Sequence, residues 1–254
     1  MSQDVLSQLV AMSNRVGDPA QDLAILGEGN TSARADEDTF YLKASGTQLG
    51  TLTADGLVRC RFDKVLSLLT AENVTDDFIT ETFNASVVEG MPKRPSVEAL
   101  LHALLLSSLG DVNFVAHTHP TWVNMLTCSQ NGKAAVMGGR LFPDELVCCG
   151  IAPVWIDFTD PGVPLALKIR DEVAKFIETY NSRPKVLLVQ NHGLITLGTT
   201  PAEAENAQYM MVKTAKILIG SFWLGGPHYL TPEQVDRIWN RPDEAYRVKL
   251  LENR

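Results

Sequence analysis

The chain has 254 residues, 45% of them hydrophobic and 20% charged, with a formal net charge of −8. That is long enough for one large domain with a real core, in the ordinary composition range of a soluble globular protein. The acidic balance excludes the basic stripe that a nucleic-acid surface needs, and the longest apolar stretch, residues 217–226, is too short and too glycine-rich to span a bilayer.

Met1-Ser2-Gln3-Asp4 lacks the basic start and apolar core of a signal peptide. Residues 4–16 then carry Val5, Leu6, Leu9, Val10 and Val16 at helical spacing, and Gly17-Asp18-Pro19 ends that helix. Gly27-Glu28-Gly29-Asn30-Thr31-Ser32-Ala33-Arg34 is a loop leading into a strand. Thr39-Phe40-Tyr41-Leu42-Lys43 is its hairpin partner across the turn Asp36-Glu37-Asp38. Ala44-Ser45-Gly46-Thr47 is a second glycine-containing loop. Residues 63–69 and 75–88 read as helical. Pro95-Ser96 opens a further helix, with Ser96 as the N-cap and Glu98 in the first turn, running to about Leu109 before Gly110. Asn113-Phe114-Val115-Ala116 is an apolar strand, followed by a helix from about Thr121. Residues 151–157 suggest a strand, 163–181 an amphipathic helix, and 185–191 and 194–198 two more strands. A long helix runs from Pro201 to Leu218, with Pro201 placed well for a first turn. Thr231-Pro232-Glu233 starts a last helix in the manner of a capping box. Cys60, Cys128, Cys148 and Cys149 match no zinc or redox spacing, so reduced thiols in a cytoplasmic protein are expected. No internal repeat or linker divides the chain. The expectation is a single domain over residues 1–254, with 226–254 as a helical tail. Its fold class is α/β: three layers, α/β/α, around a mixed, largely antiparallel sheet.

Chemistry concentrates at the ends of two of these strands. Of five histidines in the chain, His117 and His119 follow the strand at 113–116, and His192 follows the apolar run Val186-Leu187-Leu188-Val189. Side chains two apart on a strand share a face, about 6.6 Å apart along it, so two imidazoles can lean onto one ion with bonds of about 2.0–2.1 Å. Pro120 closes the strand because it cannot donate to a ladder. Glu98 and His102 are four apart and share a helical face. A carboxylate near three imidazoles is a candidate fourth ligand or general base. Each residue also has a plainer reading: a histidine beside an apolar strand is ordinarily a packed side chain, an acid in a first turn answers the helix dipole, and His102 packs or orients something.

Five segments in order make the chain resemble the class II aldolase/adducin family over roughly residues 5–220. They are Gly29-Asn30-Thr31-Ser32, Lys43-Ala44-Ser45-Gly46, Pro95-Ser96-Val97-Glu98 with His102, His117-Thr118-His119-Pro120 and Asn191-His192-Gly193. Within the family, the chain is most similar to the aldolase part of bifunctional rhamnulose-1-phosphate aldolase/dehydrogenase proteins. It ends where a dehydrogenase part would begin and has no Gly-x-Gly-x-x-Gly fingerprint. The resemblance implies that His117, His119 and His192 bind a divalent ion, zinc first, with manganese or cobalt as alternatives. It implies Glu98 as the acid/base residue, and Asn30, Thr31, Lys43, Ser45, Gly46 and Ser96 at the phosphate or carboxylate end of the substrate, where loop amides, hydroxyls and a helix N-terminus attract anions.

The implied activity is that of a metal-dependent aldehyde-lyase that cleaves a hydroxy-ketone, such as a sugar phosphate, through a metal-stabilised enediolate. A homotetramer with sites between subunits is implied too, with a tyrosine at the aldehyde end for which Tyr209, Tyr229 and Tyr246 are candidates. Val97 stands where stand-alone sugar-phosphate aldolases of the family often have a second serine. An epimerase or a 3-oxo acid phosphate decarboxylase on the same scaffold is the alternative. The family's epimerases tend to carry aspartate at the position of Glu98. A non-catalytic adducin-like binding module fits less well, because those modules lack the metal histidines.

Overall fold

The structure, a computed structural model, describes residues 2–72, 74–88 and 93–243. The helix α1 (Ser2–Val16) precedes β1 (Asn30–Arg34), β2 (Thr39–Lys43) and β3 (Leu57–Arg61), and then α2 (Phe62–Leu66) and α3 (Asp76–Ser86). Next come α4 (Ala99–Ser108), β4 (Phe114–Thr118), α5 (Thr121–Thr127), α6 (Gly132–Met137) and α7 (Pro143–Cys149). The remainder is β5 (Val154–Ile156), α8 (Val163–Tyr180), β6 (Val186–Val189), β7 (Gly193–Gly198), α9 (Pro201–Trp223) and α10 (Pro232–Trp239). Among the described residues the strands form one seven-stranded sheet, ordered β3-β2-β1-β4-β7-β6-β5. Only β5 and β6 pair in parallel; every other neighbouring pair is antiparallel. No described helix is long and apolar enough to cross a membrane.

The β1–β2 hairpin follows from its turn chemistry. Asp36 Oδ1 accepts from the amides of Asp38 and Thr39 and from the Thr39 hydroxyl, which closes the turn before the ladder starts. Strand periodicity then sorts the two faces. Leu42, Val58, Val115, Leu187 and Ile195 join a core with Leu100, Leu101 and Leu105 of α4 and Leu165, Ile169 and Val173 of α8. On the opposite face, Ala33, Tyr41, Phe114 and Ala116 pack with Leu9 and Met12 of α1. Leu188 and Leu194 pack there with Met211 and Ala215 of α9. The layers are therefore helix, sheet, helix, as the alternating pattern requires.

A buried polar cluster pins α9 across the middle of the sheet. Gln208 Nε2 donates to the Ala116 carbonyl at 2.9 Å and to Thr196 Oγ1 at 3.1 Å, while the Thr118 hydroxyl donates to Gln208 Oε1 at 2.6 Å. Each such bond is worth about 1 kcal/mol net, and leaving one unmade in the interior costs more. The cluster fixes the end of β4, one residue before His119.

Four differences from the sequence reading stand out. The strand β3 and the helices α6 and α7 were not expected. The helix after Pro95 starts at Ala99 rather than Ser96, with Glu98 at its capping position. An isolated bridge between Ala44 and Pro95, and the Ser45 amide donating to the Arg94 carbonyl at 2.9 Å, hold residues 94–95 extended beside the end of β2. Helical geometry can begin only after that tether. Finally, the capping box of α10 pairs Thr231 with Gln234, not Glu233, because Gln234 occupies the third helical position.

The start of α9 carries an ion cluster. Thr200 caps the helix through the Glu203 amide, and the buried Glu203 carboxylate meets Arg183 and Lys185, both at 2.9 Å. Burial works against the Glu203 charge, but Lys185, Arg183 and the Thr199 amide outweigh it and lower its pKa below 4.5. The stabilisation is therefore complete above pH 4.5 and is lost as the pH falls through the lowered value. Glu203→Gln, which removes the carboxylate shared by Arg183 and Lys185 while Arg183 keeps its ion pair with Asp111, is expected to cost about 3 kcal/mol at pH 7. In urea unfolding, the gap between wild type and variant should narrow steadily as the pH falls below 4.5.

Candidate metal centre and its carboxylate

His117 lies on β4 on the same face as Val115, opposite Asn30 of β1 and Ile195 of β7 in register. It is fully buried. Its Nδ1 donates to the Leu194 carbonyl at 3.0 Å, so its Nε2 carries a lone pair. His119 is not on the strand. The chain leaves the ladder after Thr118, and the His119 amide pairs with the Leu23 carbonyl at 2.9 Å. Its ring still returns to the same point, with Nε2 at 3.2 Å from His117 Nε2. Its Nδ1 lies 3.9 Å from Glu28 Oε1 in the loop before β1. His192 comes from the three-residue connection between β6 and β7. Asn191 there takes a left-handed conformation (φ 55°), and the His192 amide closes onto the Val189 carbonyl at 3.2 Å. The His192 carbonyl accepts from Asn124 Nδ2 at 3.1 Å, and its Nε2 lies 3.3 Å from that of His117.

These separations match one ion. Nitrogens bonded at about 2.0–2.1 Å to a tetrahedral centre stand about 3.3–3.4 Å apart. Two glycines make room. A Cβ on Gly193 would sit 2.4 Å from the Thr118 carbonyl oxygen and 2.8 Å from His119 Cδ2. Gly29, at φ +67°, would press a Cβ to 2.5 Å from the His117 carbonyl oxygen. Burial and the neighbouring imidazoles hold His119 down to about 3 and lower His192 as well, so both rings are neutral near pH 7, as metal ligands must be.

Glu98 faces this triangle. Its Oε2 lies 3.4 Å from His117 Nε2, and its Oε1 lies 3.3 Å from His192 Nε2. Oε1 is buried and has no hydrogen-bond partner among the described residues. A buried carboxylate oxygen left without a donor, beside three imidazole lone pairs, is the donor set of a cation site. Burial pushes the Glu98 carboxyl up, while the Asn30 amide favours its charged form, as His117, His192 and His102 do when their rings are protonated; the balance lies below the usual carboxylate value, at about 2.

The remaining expected residues divide. Ser96 is close to Glu98: its Oγ accepts from the Glu98 amide at 3.3 Å and from Asn30 Nδ2 at 3.2 Å. Ser45 and Gly46 are exposed beside this segment, through the Ser45–Arg94 contact. Lys43 is buried at the end of β2, with Nζ donating to the Gly27 carbonyl at 3.3 Å. Burial lowers its pKa and Glu98 partly restores it. Val97 is 66% exposed, between the buried Ser96 and Glu98.

Thr31 corrects the expectation: one residue from Asn30 on a strand, it points to the other face, where its hydroxyl meets Ser13 Oγ at 2.6 Å. The Asn30 side chain gives both amide hydrogens to Glu98 and Ser96 and its oxygen meets His102. Tyr209 bonds Glu205 at 3.2 Å, and Tyr229 packs on Gly138 and Gly139 with its hydroxyl on the Ala135 carbonyl at 2.6 Å, so neither meets the histidines. Tyr246 lies outside the described residues. Glu28 and Ser32 were missed; both flank recognised residues, and Ser32 shares Asn30's face by strand parity.

A family model described as Class II Aldolase and Adducin N-terminal domain matches residues 7–219. An uncharacterized oxidoreductase of Bacillus subtilis is 28% identical over 206 residues, 77% of this chain but only 27% of that protein. The chain thus spans about a quarter of that relative. The 3-oxo-tetronate 4-phosphate decarboxylase of Haemophilus influenzae is 26% identical, covering 85% of this chain and 87% of the relative. The L-fuculose phosphate aldolase of Methanocaldococcus jannaschii is 22% identical, covering 77% and 86%. A solved N-terminal class II aldolase domain of a conserved protein from Thermoplasma acidophilum superposes with a TM-score of 0.67 at 26% identity, over 84% of this chain and 93% of that one.

His119→Ala and His192→Ala should each abolish stoichiometric zinc binding in a metal assay on purified protein. Gly193→Ala, which keeps all three histidines, should weaken zinc binding by at least tenfold, because the added methyl displaces His119.

Proposed function

Since the chain belongs to the class II aldolase and adducin family, we propose that it is a divalent-metal-dependent aldehyde-lyase that cleaves a hydroxy-ketone, with a sugar phosphate as the substrate class. One observation carries this reading: a buried carboxyl group with an undonated oxygen faces three converging imidazole nitrogens. His117, His119 and His192 would hold the ion, with zinc ahead of manganese or cobalt given an all-nitrogen triad. When bound, the ion supplies Lewis-acid stabilisation of negative charge on substrate oxygen.

The chain's own residues supply the proton chemistry. In cleavage, Glu98 takes the proton of the hydroxyl on the carbon that becomes the aldehyde. The C–C electron pair moves towards the former ketone, and Glu98 returns the proton to the carbon left behind. The carboxylate thus ends as it began, and no lysine Schiff base is involved. Ser45, Gly46 and Ser96, with the Lys43 ammonium behind them, form the anion-facing side.

A second reading draws on the decarboxylase of Haemophilus influenzae, which aligns over most of both chains. Loss of carbon dioxide from a 3-oxo acid phosphate leaves the same kind of carbanion next to a carbonyl, so the same carboxylate would protonate it. Epimerisation would break and re-form the aldol bond. Products discriminate the readings: an aldehyde and a ketone, carbon dioxide, or a stereoisomer. The assembly we infer is a homotetramer in the cytoplasm, with a small-molecule substrate.

Glu98→Gln is expected to retain stoichiometric zinc and to lose at least a thousandfold in turnover of the substrate so identified. Normal turnover in that variant would refute the role of Glu98.

A further inference from the structure

Behind Glu98 runs a chain of buried side chains that the proton chemistry above does not use. Glu98 Oε2 accepts from Asn30 Nδ2 at 2.7 Å. Asn30 Oδ1 meets His102 Nε2, and His102 Nδ1 meets Ser32 Oγ at 2.6 Å. His102 is fully buried, and Ser32 is too. Donor counting sets the direction. The Asn30 nitrogen donates to both Glu98 Oε2 and Ser96 Oγ, so the Asn30 oxygen faces His102. An amide oxygen only accepts, so His102 carries its proton on Nε2. In a neutral ring Nδ1 is then an acceptor, and Ser32 donates to it. The three partners come from two elements: Asn30 and Ser32 from the same face of β1, His102 one turn into α4 from Glu98. Three hydrogen bonds, to Glu98, Ser96 and His102, thus hold the Asn30 amide in one of its two flips, and a fourth, from Ser32, fixes the ring.

We propose that His102 is a positioning residue: acting through Asn30, it locks the Glu98 carboxylate against the three histidines, and Ser32 sets the His102 tautomer. This rests on the reading of Glu98 as the proton-transfer group only for its consequence in turnover; the geometry stands apart from it. The alternative for His102 is a core side chain that fills space beside α4, and for Asn30 a direct ligand of the substrate anion. Both make different forecasts. A space-filling ring is replaced adequately by phenylalanine, whereas a donor is replaced by glutamine.

The test uses the full-length, zinc-loaded protein. Histidine ¹⁵N NMR on the wild type should show one ring protonated on Nε2 and bare on Nδ1 that is assigned to His102 by its loss in His102→Phe. Crystal structures of His102→Phe and His102→Gln should differ at Glu98. In the phenylalanine variant the Asn30 amide turns and the Glu98 contact opens beyond hydrogen-bond distance. In the glutamine variant it stays. Rates of proton exchange into dihydroxyacetone phosphate should fall at least tenfold in the maximal rate for His102→Phe with little change in half-saturation. His102→Gln should recover most of that loss. If His102→Phe does not fold, Ser32→Ala replaces it, and a mixed tautomer signal with a partial loss of rate is expected. A His102 proton on Nδ1, or a Glu98 carboxylate unmoved in the phenylalanine or alanine variant, overturns the proposal. A carboxylate that moves while Glu98→Gln keeps full turnover sustains the proposal and sinks the role of Glu98 instead.

Discussion

The structure turns on one constraint: the Glu98 carboxyl group is buried, with Asn30 donating to one oxygen and imidazole nitrogens facing the other. Burying a charge without partners costs several kcal/mol, so the surroundings must supply positive potential and donors. On one side, Asn30 gives a full hydrogen bond to Oε2. On the other, Oε1 faces imidazole nitrogens with lone pairs, which cannot satisfy it by themselves. The cation proposed above, between carboxylate and rings, would complete the arrangement. That need connects otherwise separate features: the Leu194 carbonyl that sets the His117 tautomer, the close approach at Gly193, and the Gln208 cluster that pins the end of β4. Three converging imidazoles and a buried carboxyl group at one point are the parts from which a metal-assisted acid/base site is built.

Strand parity distributes the parts. On β1, Asn30 and Ser32 turn towards α4 and Glu98, while Thr31 and Ala33 turn towards α1. On β4, His117 follows Val115 onto the α4 face, while Thr118 turns to Gln208 of α9. The antiparallel register places Asn30 against His117, so the loop before β1 and the end of β4 meet at one edge of the core. A one-residue slip in β1 would exchange Asn30 for Thr31 and dismantle the contact to Glu98.

Much of this was legible before any coordinates. Long apolar periodicity identified α1, α4, α8 and α9, and the apolar runs before His117 and His192 identified the strands that aim them. The elements that escaped had weak local signals. In β3, Arg59 and Arg61 interrupt an apolar run, and pairing with β2 supplies what propensity does not. The helices α6 and α7 are short and follow glycine- and proline-containing turns. At the site, residue types and order pointed to the three histidines and Glu98, but the allocation of the anion-facing residues needed side-chain direction. Thr31 was misassigned because a loop-like motif is in fact a strand, where neighbours face opposite ways. For Asn30, nothing local shows that its side-chain oxygen meets His102, 72 positions away.

The family relation leaves several reactions open on one scaffold, and the shared element is a carbanion next to a carbonyl rather than a particular bond. What the account requires in every case is an ion at the point where the three rings converge. Anomalous diffraction at the zinc edge from crystals of the zinc-loaded protein tests this most directly. A single anomalous peak within bonding distance of the Nε2 atoms of His117, His119 and His192, next to Glu98 Oε1, is the predicted result. No peak there at saturating zinc, or a peak elsewhere with the three rings unligated, would contradict the account.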